Sequence, residues 1–340
     1  MLTTTAFIVA TGVSMLQAKP AVAAPPTVSF KRVKTFDGLR MTAAAAPATG
    51  PNFGVALENR DVKLMNAKTL QGFATLKGHP QAVYGLAFSP DGKLVLTGDD
   101  SGRIWLWDTK TAKKLREFPR DRGHTRGIQS LTFSPDGKQF ASVGKDDVIF
   151  IWNTAGGHPI KKLPGNAANF YGAQYTPSGS LIAGTLKEGA RLYAPKTFSL
   201  AATMTLAGGQ GANNVAANRL GSLMVTCGRD GKVAVWNVAN RQRVAYLVGH
   251  TDWVMNATIS PNGKYVATSS NDRSVRVWDM KSYKQVGLLD NQSPLGSPIT
   301  FTGDGNFLIT SSESDFIQVW AVTPTQGAAA PAAPTKKKRR

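Results

Sequence analysis

Apolar residues in this chain fall in short runs, such as Lys93-Leu94-Val95-Leu96-Thr97 and Ile104-Trp105-Leu106-Trp107, separated by polar turn residues. The runs are rich in β-branched and aromatic residues and too short for helices, so they predict strands. Six of them end on the same kind of step: Trp107-Asp108, Trp152-Asn153, Tyr193-Ala194, Trp236-Asn237, Trp278-Asp279 and Trp320-Ala321. These steps stand 45, 41, 43, 42 and 42 residues apart. A period near forty marks one structural unit used repeatedly.

A glycine precedes each of those aromatics by fifteen residues, or fourteen in one case: Gly92, Gly137, Gly179, Gly221, Gly263 and Gly305. Counting back one more period reaches Met65, with Gly50 fifteen residues before it, which makes seven units. Around four of the glycines the chain reads Ser-Pro-Asp-Gly, Ser-Pro-Asn-Gly or Thr-Pro-Ser-Gly. Proline presets φ at the second position of a tight turn, and Asp, Asn and Gly suit the third and fourth positions.

Gly78-His79, Gly123-His124 and Gly249-His250 each place a histidine twenty-eight residues before a tryptophan. With the Gly-His start, the turn and the Trp-Asp or Trp-Asn end, residues 28 to 323 resemble the WD40 (β-transducin-like) repeat family. The resemblance implies an all-β, seven-bladed β-propeller in which each blade is a four-stranded antiparallel sheet. It also implies a buried hydrogen-bond network within a blade. Two sets are complete: His124, Ser142, Asp146 and Trp152, then His250, Thr268, Asp272 and Trp278. Other copies depart, with Ser101 where the second blade should have its Asp and Gly208 where the fifth should have its histidine.

The last repeat supplies three strands, near Ser297 to Phe301, Phe307 to Ser311 and Phe316 to Val322, before a Pro/Ala-rich tail. Its fourth strand is expected from the strand-like run Val28 to Phe36, which would complete the last blade and close the ring. Seven blades of about 42 residues use nearly all 340 positions and leave no room for a separate catalytic domain. Residues 1–23 resemble a secretory signal ending at Ala21-Val22-Ala23, followed by a linker, 24–27, so export to a periplasm or beyond is expected. The apolar stretch is too short for a transmembrane helix. Residues 324–340 form a tail ending in Lys336, Lys337, Lys338, Arg339 and Arg340.

Net charge is +19 with the histidines neutral. Such a charge favours acidic partners, and polyanion contact through the basic tail is one expectation. The tail also resembles a nuclear import signal, which keeps a cytoplasmic or nuclear location as the alternative. Cys227 stands alone and reads as a small core residue.

Three of the four histidines occupy the blade position, and the fourth, His158, sits alone in a loop. No metal-ligand cluster, phosphate loop, nucleophile elbow or sialidase Ser-x-Asp-x-Gly-x-Thr-Trp box is present, so neither enzyme, cofactor nor metal site is expected. What remains is binding. In the family, partners dock on the face formed by the loops before the first strand and between the second and third strands of each blade. The first loop set contributes Tyr84, Arg126, Gln129, Tyr171, Asn213, Trp253 and Met255, and the second Asp100, Lys145, Arg229, Asn271 and Glu313. Aromatics, Arg and Met gathered on one face have the composition of an interface anchor.

The sequence thus points to a monomeric, exported, non-catalytic scaffold that holds a protein or peptide. The runner-up is a basic intracellular or nuclear adaptor engaging nucleic-acid-containing complexes. A propeller enzyme ranks third.

Overall fold

The structure, a computed structural model, describes residues 28–36, 40–206, 211–293, 298–312, 314 and 316–324. The expected leader, its linker and the basic tail from residue 325 lie outside the described residues, as do Gly208 and Glu313. Among the described residues the regular structure is entirely strand, and no helix is long and apolar enough to cross a membrane.

Seven four-stranded antiparallel sheets form the blades of a β-propeller. Blades 1 to 6 span residues 41–76, 83–118, 128–164, 170–205, 212–248 and 254–289, each running from its innermost strand to its outermost. Blade 7 combines 300–324 with 28–36. The N-terminal strand Val28–Phe36 lies antiparallel to Ile317–Pro324, from Val28 opposite Pro324 to Phe36 opposite Ile317. It supplies the outer strand that blade 7 otherwise lacks and covers an open edge. The innermost strand of blade 7 is only Thr300–Phe301, shorter than the sequence suggested. Pro298, just before it, has no N–H to donate to a ladder.

The apolar alternation of the strands is spent between blades. Seven clusters of buried side chains each join neighbouring sheets. At the joint of blades 2 and 3, Trp152 stacks on Phe140 with ring centres 5.8 Å apart and meets Phe118 edge-on at 5.5 Å. Each such side chain contributes roughly 1.5–3 kcal/mol by leaving water. The closing joint is of the same kind, with Phe53, Val55 and Met65 of blade 1 against Ile309 and Val319 of blade 7.

The tight turns between first and second strands line one face of the ring, here called lower. They interlock around it. A Cβ on Gly92 would stand 3.2 Å from Pro47 of the preceding blade's turn, and one on Gly305 would stand 3.4 Å from Pro261. Both glycines also have positive φ, 71° and 73°, so they are fixed by backbone conformation and by close approach together.

Candidate functional site

The upper face begins with a device repeated in six blades. Each innermost strand is one residue longer than its partner requires, and the register shifts just after its first residue. The bulged segments hold Thr42, Tyr84, Gln129, Tyr171-Gly172, Asn213 and Met255. A bulge breaks the ladder locally and re-aims the side chain it carries. In five of the six blades, all but that of Asn213, the bulged residues line the central mouth.

A second repeated feature fixes the surrounding loops. The backbone N–H of Glu58 donates to Arg40 O, Asp100 to Ala82 O, Lys145 to Gly127 O, Leu186 to Asn169 O and Asn271 to Trp253 O, at 2.8 to 3.0 Å. The loop between second and third strands is thereby pinned to the loop before the first, blade by blade.

Tyr84, Gln129, Lys145, Tyr171 and Met255 line one cavity of about 490 Å³ at the mouth, together with Arg40, Glu58, Asn214 and Asn256. Lys145 spans two blades. Its ammonium pairs with Asp100 and lies 5.2 Å from the centre of the Tyr84 ring. Outside the cavity, the Arg229 guanidinium sits 4.5 Å over the ring of Trp253, which is 41% exposed. Arg126 is exposed on the rim and donates to Lys145 O at 3.4 Å. Five of the twelve rim residues named from sequence therefore share the cavity, and Arg126, Arg229 and Trp253 lie on the rim outside it.

Asn213 is not a rim residue. It is 2% exposed, and its amide donates to Val254 O at 3.2 Å, tying blade 5 to blade 6. Arg40 and Glu58 were missed because the first repeat is degenerate. Their register nonetheless reveals them: Arg40 stands twenty-five residues before Met65, as Trp253 does before Trp278, and Glu58 stands seven before Met65, as Lys145 does before Trp152.

Beneath the rim lie the buried networks. In blade 3 the Trp152 indole N–H donates to Ser142 Oγ at 2.8 Å, Ser142 Oγ lies 2.7 Å from His124 Nε2, and His124 Nδ1 lies 2.8 Å from Asp146. An indole can only donate, so Ser142 accepts from Trp152, and its own O–H is available to donate on to His124 Nε2 while Nδ1 faces the carboxylate. Blade 6 repeats it through Trp278, Thr268, His250 and Asp272, with links of 2.8 to 2.9 Å. The carboxylates reach the rim as well, for Asp146 and Asp272 accept from the backbone N–H groups of Thr125 and Thr251. Those loops carry Arg126 and Trp253.

Blade 2 corrects an expectation. Its carboxylate is Asp99, which lies 2.9 Å from His79 Nδ1, while Ser101 donates to Asp99 at 2.6 Å. The reason is spatial. Gly144, at the corresponding strand position of blade 3, would place a Cβ 2.2 Å from His124 Nδ1 and 2.5 Å from Asp146, so the strand residue itself can fill the space of the loop Asp. His79 also stacks on Trp105, with ring centres 4.0 Å apart.

Blade 7 holds an unexpected partial network. Trp320 donates to Thr310 at 3.0 Å, and Gln292, at the histidine's register, donates to Gln318 at 3.2 Å. In blade 5 Trp236 donates to Thr226 at 3.0 Å, while Asp230 accepts from the Lys232 backbone N–H at 3.1 Å.

Burial works against ionisation of Asp99 and Asp272, yet hydrogen bonds from His79 and Ser101, and from Ser274 and His250, outweigh it and hold both carboxyls below their usual range. Asp146 is held low in the same way, burial being outweighed by His124. His250 is shifted down because burial outweighs the pull of Asp272. Burial also pushes the Cys227 thiol up, which leaves it protonated inside the blade 5 core. His158 is exposed.

The family model for the WD domain, G-beta repeat matches residues 71–108, 113–153, 202–237 and 241–279. Each match joins the outer strand of one blade to the first three strands of the next. No curated protein matches the chain.

Proposed function

The chain is a WD40-repeat protein, and from that premise we propose that it is a non-catalytic scaffold whose upper face holds a protein or peptide. A WD40 propeller by itself suggests a protein-interaction scaffold. The observation that carries the finer reading is the row of inner-strand bulges, which turns four different side chains, Tyr84, Gln129, Tyr171 and Met255, toward one mouth. Rigid strands position that set, and exposed aromatics and cations surround it, the composition that anchors interfaces. Mixed charge, Arg40 and Lys145 against Glu58 and Asp100, would orient an extended ligand as well as hold it.

The scaffold works outside the cytoplasm in this reading, on the signal-like residues 1–23, and the basic tail adds a salt-sensitive contact. Affinity capture from source-cell extract tests the site: Trp253→Ala with Arg229→Ala should reduce recovery of the partner while leaving the melting temperature in place. Undiminished capture by that double variant would refute the upper-face site. N-terminal sequencing of the mature protein tests export. Cleavage near Ala23 is expected, and an uncleaved chain would favour the basic intracellular adaptor instead.

A further inference from the structure

Four of the seven turns of the lower face are near-copies of one another, reading Ser-Pro-Asp-Gly at 89–92 and 134–137, Thr-Pro-Ser-Gly at 176–179 and Ser-Pro-Asn-Gly at 260–263, while blades 1 and 7 carry Pro47-Ala48-Thr49-Gly50 and Thr302-Gly303-Asp304-Gly305. Blade 5 departs at both central positions, with Asn218-Arg219-Leu220-Gly221. The turn itself is unchanged, because the Gly221 N–H still donates to Asn218 O at 2.9 Å, as the Gly92 N–H does to Ser89 O at 2.8 Å. The substitutions therefore contribute nothing that the turn requires.

They change the surface instead. Leu220 is 86% exposed, the most exposed large apolar side chain among the described residues. Arg219 reaches across the mouth. Its guanidinium donates to Ala48 O in the turn of blade 1 and to Gly303 O, at 3.3 Å, in the turn of blade 7. It thus lies over the lower end of the channel, in a cavity of about 600 Å³ rimmed by Pro47, Pro90, Pro135, Pro177 and Pro261. Among the described residues lining that cavity, Arg219 is the only charged one.

A guanidinium has five N–H donors in a rigid fork, and the two carbonyls leave others free. Carbonyls fix its position but do not neutralise it. An exposed cation fixed at a mouth whose described lining brings no carboxylate favours the approach of an anion. Prolines and Leu220 around it add apolar contact. We propose that the lower mouth is a second recognition site, which takes a Glu or Asp side chain on a partner loop, seated on Arg219, with an apolar neighbour against Leu220.

The test is an NMR titration of the full chain with the pentapeptide acetyl-Gly-Leu-Glu-Leu-Gly-amide, following the Gly221 amide and the Arg219 side-chain N–H. Saturable shifts confined to the lower turns are expected, and the Gln counterpart of the probe should bind about ten-fold more weakly for loss of a charge-assisted contact. Arg219→Pro with Leu220→Asp rebuilds the turn chemistry of blades 2 and 3, so it should fold normally and lose the response. Arg219→Gln gives the same reading without a proline. Trp253→Ala with Arg229→Ala should leave the response intact, which separates this site from the upper one. Absence of saturable shifts at millimolar probe would overturn the proposal, as would equal binding of the Glu and Gln probes or an undiminished response in both Arg219 variants. Tighter binding of acetyl-Gly-Leu-Gln-Leu-Gly with a free C-terminal carboxylate than of the Glu probe would replace the side-chain carboxylate with a chain terminus and refute the occupant named here.

Discussion

The two faces of the ring use the same seven-fold repetition in opposite ways. On the lower face four of the seven turns repeat their residues, and prolines interlock with the glycines of neighbouring turns. On the upper face the bulges repeat their geometry and vary their residues, from Thr42 and Tyr84 through Gln129 to Met255. Repetition of residue type marks what the architecture needs, and variation at a repeated position marks what is free to recognise. The blade 1 and blade 7 turns depart from that pattern with small residues or an Asp, whereas Arg219 and Leu220 bring a large cation and a large apolar side chain into this face.

The largest expected effect lies in the architecture that both faces share. Deleting residues 28–36 removes the outer strand of blade 7 and bares the edge of Ile317–Pro324, so loss of cooperative unfolding and aggregation are expected in thermal melts. A variant that melts like the full chain would refute closure by that strand.

Next come the networks below the rim. His250→Ala or Asp272→Ala should cost about 1–3 kcal/mol in chemical denaturation, since each leaves buried polar partners unpaired. His158→Ala should be nearly neutral. Asp99→Ala should exceed Ser101→Ala, because Asp99 faces His79 directly and Ser101 only supports it. The reverse order would contradict Asp99 as the blade 2 carboxylate.

Acid should weaken the same networks in a defined direction. Asp99, Asp146 and Asp272 have lowered folded-state pKa values, so their contribution is present above about pH 4 and is lost as pH falls through those values. His250 is also lowered, so its contribution is present above about pH 6.5 and declines as pH falls from there toward its folded-state value. Both effects have one sign. Denaturation midpoints that rise on acidification from pH 7 to 4 would contradict the assignment. The smallest effect belongs to the tail: neutralising Lys336, Lys337, Lys338, Arg339 and Arg340 should lower only salt-sensitive association, because exposed charges act through a field screened within about 8 Å.

The period, the turn glycines and the closing strand were legible because each is written in local sequence at a fixed spacing. Tyr84, Gln129, Tyr171 and Met255 were found by register, but the bulge that aims them was not, since all six of the bulged copies carry the extra residue and the spacing between them stays near constant. Asp99 escaped because one site can receive a carboxylate from two chain positions. Gln292 escaped because it replaces histidine with a different donor. Arg219 shows the general limit: its partners Ala48 and Gly303 are 171 and 84 residues away, and no local pattern announces a contact across the ring.

The central claim is that the inner-strand bulges present the binding surface, and site-directed photo-crosslinking in source-cell extract tests it most directly. A photoreactive residue in place of Tyr171 or Met255, at the bulges, is compared with one in place of Leu115 or Ile160, which are 54% and 52% exposed on outer strands. The account predicts one discrete cross-linked partner from both bulge positions and none from the outer strands. Cross-links from the outer strands with silent bulge positions would contradict it.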